Sequence, residues 1–156
     1  IMHAYQHILV PVDFSPVSQR IIHRGKELAE QYQSKLTLLH VMQDIPLTVQ
    51  SFGDMPGMMI APEIQEQLLS QSQERLKQLA SSLQVADTTL LEVVEGLPYD
   101  SISSYADEHQ VDLIITGHSA KKGLMGFIMG STAASIVKHS KCDVLVMQLP
   151  QSMAEA

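Results

Sequence analysis

Val111-Asp112-Leu113-Ile114-Ile115 runs directly into Thr116-Gly117-His118-Ser119-Ala120-Lys121-Lys122-Gly123-Leu124-Met125-Gly126-Phe127-Ile128-Met129-Gly130-Ser131-Thr132. The first five residues are an apolar run that predicts a buried strand. A loop of glycines and small hydroxyl residues comes next, ending where a new amphipathic helix begins. A strand, such a loop and a helix N-terminus together make an anion pocket. Glycines let backbone N–H groups approach a phosphate closely, and the helix start adds unpaired N–H donors and partial positive charge. The arrangement points to a nucleotide.

Working outward, the same alternation of short apolar runs and amphipathic helices fills the chain. Residues 6–12 are β-branched and apolar and predict the first strand, stopped by Asp13-Phe14-Ser15-Pro16. Ser15 suits an N-cap, and Pro16 suits the first helical position, where its missing N–H would be unpaired anyway. The helix predicted to about residue 33 carries Val17, Ile21, Leu28, Ala29 and Tyr32 on one face of a 3.6-residue period. Further strands are expected over 35–41, 88–94, 112–116 and 142–149. Helices are expected over about 62–83, 99–109 and 131–139. Residues 42–62 are irregular, with Pro46, Gly53, Pro56, Gly57 and Pro62 as breakers. A loop this long is usually functional or mobile.

Strands that are apolar throughout, separated by helices, imply a parallel α/β sheet covered on both faces. Right-handed crossovers make it an open, doubly wound sheet. Ligands in such sheets sit beyond the C-terminal strand ends, where the strand order reverses. Two segments compete for that place: Pro11-Val12-Asp13 and Thr116-Gly117. If their strands are neighbours, both line one crevice. Asp13 has two readings there, as a ligand group or as a brace for the turn before the first helix. Gly130-Ser131-Thr132 is compatible with both an N-cap and a phosphate site.

The composition narrows the function classes. The chain has 156 residues, which fits one domain, expected over 1–150 with a frayed tail over 151–156. A domain of this size buries about 70% of its unfolded surface. No apolar run approaches the roughly 20 residues that cross a bilayer, and the first residues lack the pattern of a signal peptide. The formal net charge is −7, which argues against broad binding to nucleic acid or an anionic membrane. Cys142 is the single cysteine; a reducing cytoplasm fits, and the thiol is expected to pack as a small hydrophobe.

Several motifs are weighed and set aside. No Gly-Lys-Ser/Thr occurs, so the loop is not a P-loop. Lys121 closes the Gly117-His118-Ser119-Ala120 run where a nucleophile elbow needs glycine. No two of the seven histidines stand at i, i+4 with a carboxylate between them, as a zinc helix requires. His118 reads as a solvated loop histidine or a phosphate contact. Met55, Met58 and Met59 read as flexible filler in a loop packing as a lid or against a partner subunit. Glu63, Glu66, Glu74, Arg75 and Lys77 read as a solvated helix face.

Taken together, the chain resembles the universal stress protein family over roughly residues 5–150. The resemblance rests on Ile8-Leu9-Val10-Pro11-Val12-Asp13-Phe14-Ser15, on His40-Val41 closing the second strand, on the late glycine signature and on Val144-Leu145-Val146-Met147. The signature is Gly, two residues, Gly, nine residues, Gly, then Ser or Thr. Gly117, Ala120, Gly130 and Ser131 stand at its places. The resemblance implies a five-stranded sheet of order 3-2-1-4-5 and a homodimer through the last strand, Val144 to Gln148. It implies a sensor or regulator that binds ATP, with Mg²⁺ as counter-charge, in place of an efficient catalyst. Pro11, Val12 and Asp13 would face the adenosine, and the backbone of Val41 would meet the adenine edge. Gly117, Gly130, Ser131 and Thr132 would surround ribose and phosphates. The chain departs from the pattern at Ala120, where a second glycine is expected, and at Ser119, where arginine is common. Lys121 and Lys122 stand close enough to replace the arginine. The departures keep open a non-binding stress protein acting through dimer and partner contacts. A slow hydrolase or autophosphorylating protein using Ser131 or Thr132 is the third alternative.

Overall fold

A computed structural model describes residues 5–43, 62–118 and 131–149. Through them run β1 His7–Val12, α1 Pro16–Tyr32, β2 Lys35–Met42, α2 Pro62–Ser82, β3 Leu90–Glu95, α3 Pro98–Glu108, β4 Leu113–His118, α4 Ser131–His139 and β5 Asp143–Gln148. The five strands pair in the order β3-β2-β1-β4-β5, every pair parallel. This is the expected doubly wound α/β sheet.

Alternation along the central strands sends side chains to two separate cores. Ile8, Val10, Val12, Leu36, Leu38, Leu113 and Ile115 face Val17, Ile21 and Ile22 of α1 and Leu76 and Ala80 of α2. Leu9, Leu39, Val41 and Ile114 face Ile102, Tyr105 and Ala106 of α3 and Ile136 of α4. The helices thus divide two and two across the sheet. A sheet buried on both sides explains why its central strands are mainly apolar, with His7, Thr37 and Thr116 the buried polar exceptions among them.

Some boundaries differ from expectation, each for a local reason. β3 starts at Leu90 because Thr89 N–H is held in a turn by Ala86 O at 2.9 Å. β4 starts at Leu113, one residue after Asp112, whose carboxylate accepts from the Gln6 N–H (2.8 Å) and the His7 N–H (2.9 Å) and ties the entry of β4 to the start of β1. β4 also continues through Gly117 and His118, which pair with Met147 and Gln148. The loop was expected to begin at Gly117.

Gly25 lies inside α1, where glycine is unfavourable. A Cβ there would lie 2.6 Å from Val10 Cγ2 and 3.4 Å from Leu36 Cδ1. The glycine therefore lets α1 lie close on β1.

At the opposite end of the sheet from the crevice, His7 is buried on the α3 side. Its Nδ1–H donates to His109 O at 2.9 Å, which leaves Nε2 to accept from Thr37 Oγ1 at 2.7 Å. This pattern suits a neutral ring. Burial is the main cause holding the His7 pKa below the ordinary histidine value.

Candidate functional site: where β1 and β4 stop pairing

β1 pairs with β2 over its whole length, up to Val12 beside His40. Its ladder to β4 joins only Ile8 to Leu113 and Leu9 to Ile114. β4 meanwhile pairs with β5 as far as His118 beside Gln148. The two central strands thus stop pairing at their upper halves, where the strand order reverses. Pro11 has no N–H to give a ladder, and it stands just past the last paired residues. The sheet carries a fork at the place where doubly wound proteins hold ligands.

Asp13 stands one residue beyond β1, at the lip of this fork. Its Oδ1 accepts from Ser15 N–H at 3.0 Å, from Ser15 Oγ–H, and from Ser18 Oγ–H at 2.7 Å. Ser18 Oγ also accepts from Asp13 N–H at 3.3 Å. Ser15 does sit at the N-cap of α1, but its side chain makes no cap hydrogen bond. Its hydroxyl turns back to Asp13. The carboxylate braces the turn, which was one of the two readings weighed for it.

Phe14, between Asp13 and Ser15, has φ of 63°. This left-handed conformation is an outlier for a bulky side chain. The ring lies 4.3 Å from the His40 ring between centroids, and the Arg75 guanidinium of α2 lies 4.5 Å from the Phe14 centroid. His40 is fixed in turn by its Nδ1–H, which donates to Val12 O at 2.7 Å. Burial is the main cause lowering the His40 pKa; Arg75 adds to it, while Val12 O and Asp13 oppose it.

His7 and His40 therefore give stability a defined pH dependence. Both resist protonation in the folded chain, whereas the unfolded chain takes up protons near the ordinary value of about 6.5. Below that value the unfolded state binds more protons, so stability falls as pH falls from about 7 toward 5. Denaturation midpoints across this range should show the decline. The decline should shrink in His7→Gln.

The α3–α4 face of the fork gathers several of the expected residues. Pro11 follows Leu9 on that face, Val41 belongs to its core, and Thr116 follows Ile114. Among the described residues, Thr116 Oγ1 is buried with no hydrogen-bond partner, an arrangement that costs free energy unless something polar reaches it. α4 runs from Ser131, with Thr132 in its first turn and Lys138 and His139 in its last, and Ile136 packs it into the core that holds Ile114. Its N-terminal N–H groups and positive dipole end are the kind of donor an anion favours.

Val12 points the other way, into the α1–α2 core, so its side chain cannot line the α4 side of the fork. Gly117 has an unforeseen role. A Cβ there would lie 2.7 Å from Ile21 Cδ1 and 2.8 Å from Leu149 Cδ1. Its missing side chain makes room for α1 and the end of β5, while its backbone borders the fork. Ser119, Ala120 and Gly130, with Lys121, Lys122 and the three loop methionines, lie outside the described residues. Cys142 is half-buried beside the α3–α4 core, and burial raises its thiol pKa. That suits packing and disfavours a thiolate nucleophile.

Sequence reasoning missed the Phe14, His40 and Arg75 stack, whose members come from three elements. A bulky Phe directly after the strand-ending Asp13 carried no local signal of left-handed geometry. Pro11 inside a central strand was the available sign that pairing would be interrupted.

Known proteins share this sequence pattern and this fold. The model of the universal stress protein family matches residues 4–148. The chain belongs to that family. A universal stress protein of Methanocaldococcus jannaschii is 28% identical over 148 residues, covering 94% of this chain and 84% of its own. The structure of UspA from Lactobacillus plantarum superposes with a TM-score of 0.70 at 26% identity, covering 92% of this chain and 97% of that one. A universal stress protein crystallised in complex with cAMP shares the fold, with a TM-score of 0.60, 24% identity and coverage of 92% and 97%. Among the described residues of this stress protein, no helix is long and apolar enough to cross a membrane.

Proposed function

We propose that this universal stress protein binds an adenine nucleotide in the fork between β1 and β4 and works as a sensor or regulator. ATP, with Mg²⁺ as counter-charge, is the ligand proposed. The observation that carries the reading is the fork itself, with an oriented carboxylate at one lip. Pro11 and the backbone of Val41 would meet the adenosine, and Asp13 its polar groups. The N–H groups at Gly117, Gly130, Ser131 and Thr132 would hold ribose and phosphates, with Ser119 and Ala120 completing the loop. The chemistry is coherent. An anion meets backbone donors and a helix dipole, and the buried Thr116 hydroxyl and the Asp13 carboxylate supply polar character next to apolar walls. The solved relative carrying cAMP supports an adenine nucleotide over other anions.

β5 is an edge strand, and Val144, Leu145 and Val146 are only half-buried in the single chain. An unpaired apolar edge invites a partner strand. We assign it to a homodimer in the cytoplasm.

Calorimetric titration with ATP and Mg²⁺ tests the reading. Saturable heat with a Kd below about 1 mM is expected. Silence toward ATP, AMP and cAMP alike would leave the non-binding branch, in which Ala120 and Ser119 have disabled the loop and dimer contacts carry the function.

A further inference from the structure

Phe14 sits where the backbone favours glycine or asparagine, with φ of 63°. A bulky residue holds such a conformation only when its surroundings over-determine it. Those surroundings are the His40 ring on β2 and the Arg75 guanidinium on α2, at 4.3 Å and 4.5 Å from its centroid. His40 is locked to the tip of β1 through Val12 O at 2.7 Å. The ring also packs against the α1–α2 core. Three elements thus grip one side chain, and its chain neighbours are Asp13 and Ser15. The hydrogen bonds between Asp13 and Ser15 span Phe14, so its conformation decides whether they can form.

We propose that Phe14, clamped between His40 and Arg75, is a positioning residue that sets the Asp13 turn for ligand binding. The proposal rests on the nucleotide reading for its functional half. Arg75 contributes through a cation over an aromatic face and His40 through ring contact. Through Arg75, α2 acquires a direct hold on the lip of the fork. An exposed arginine on a helix otherwise read as a solvated face thereby gains a specific task.

Three variants test this. Arg75→Gln removes the cation from an exposed position. Phe14→Asn tolerates the left-handed backbone but removes the ring. Phe14→Tyr keeps the ring. The first readout is hydrogen exchange of the Ser15 amide, which donates to Asp13 Oδ1. The second is ATP affinity by calorimetry. Exchange at Ser15 should quicken and ATP affinity should fall by about tenfold in Phe14→Asn, and by about threefold in Arg75→Gln. Phe14→Tyr should match the wild type in both. Unchanged Ser15 exchange in Phe14→Asn and Arg75→Gln overturns the positioning role. Faster exchange with unchanged affinity overturns its functional half. A wild-type protein that binds no ATP removes the nucleotide reading, and Ser15 exchange still decides the positioning claim by itself.

Discussion

Asp13→Ala should weaken ATP binding by about 30- to 100-fold and lower folding stability by about 2 kcal/mol. Both effects come from one oxygen. Asp13 Oδ1 accepts from Ser15 N–H, Ser15 Oγ–H and Ser18 Oγ–H. Hydrogen bonds to a charged acceptor contribute about 1.5–3 kcal/mol each when buried, but this turn is only partly buried and water can replace some of them. Hence the stability effect is nearer one such bond than three. Under the proposed function, the affinity effect adds the loss of a polar group meeting the ligand to the loosening of the turn. Asp13→Asn keeps an accepting oxygen in the same place. It should restore most of the stability while binding remains weak, because the charge is gone. Chemical denaturation and calorimetry on the two variants separate the roles. An Asp13→Ala protein that binds ATP as the wild type does would confine Asp13 to bracing the turn.

Leu38→Ala carries the largest expected loss of stability, about 3–4 kcal/mol. Leu38 is fully buried in the α1–α2 core, and its strand is paired on both sides, beside Val10 and Leu91. The sheet backbone cannot move in to fill the space, so the cavity term adds to the lost transfer energy. For a domain of this size the thermal midpoint should fall by about 10 °C. Leu97→Ala is the control, since Leu97 is 66% exposed and surface truncations usually stay within about 0.5 kcal/mol. Thermal and chemical denaturation of both variants give the comparison. A loss below about 1 kcal/mol at Leu38 would mean that the core there repacks freely.

The elements were legible because their signals are local. Mainly apolar runs marked the central strands, Ser15-Pro16 marked the start of α1, and Ser131 and His139 bounded α4 as expected. Strand order is different in kind. No residue states which strands are neighbours; the 3-2-1-4-5 order came from resemblance, and the pairing then bore it out. Gly117 shows a subtler limit. A glycine after a strand reads as loop, yet the strand continues through it because Ile21 and Leu149 occupy the space a side chain would take. Gly25 was readable in principle, since glycine within an amphipathic helix wants a packing reason. For the candidate site, Asp13 and Val41 were carried over from the family resemblance, and Pro11 and the start of α4 came from the strand and helix boundaries. The bracing of Asp13 by two serines and the grip on Phe14 depend on contacts between elements, which periodicity does not report.

The halted ladder between β1 and β4 has a mechanical consequence. Above the Leu9 and Ile114 pair the sheet consists of two separately paired plates, one of β3, β2 and β1 and one of β4 and β5. The paired register between β1 and β4 ends at that pair. A molecule seated between them would touch both and act as a rivet. Occupancy would then register as stiffness across the whole domain, because binding to the folded state alone raises its stability with ligand concentration. Such a protein could report the level of its ligand without catalysing anything, by how firmly its two plates are held together.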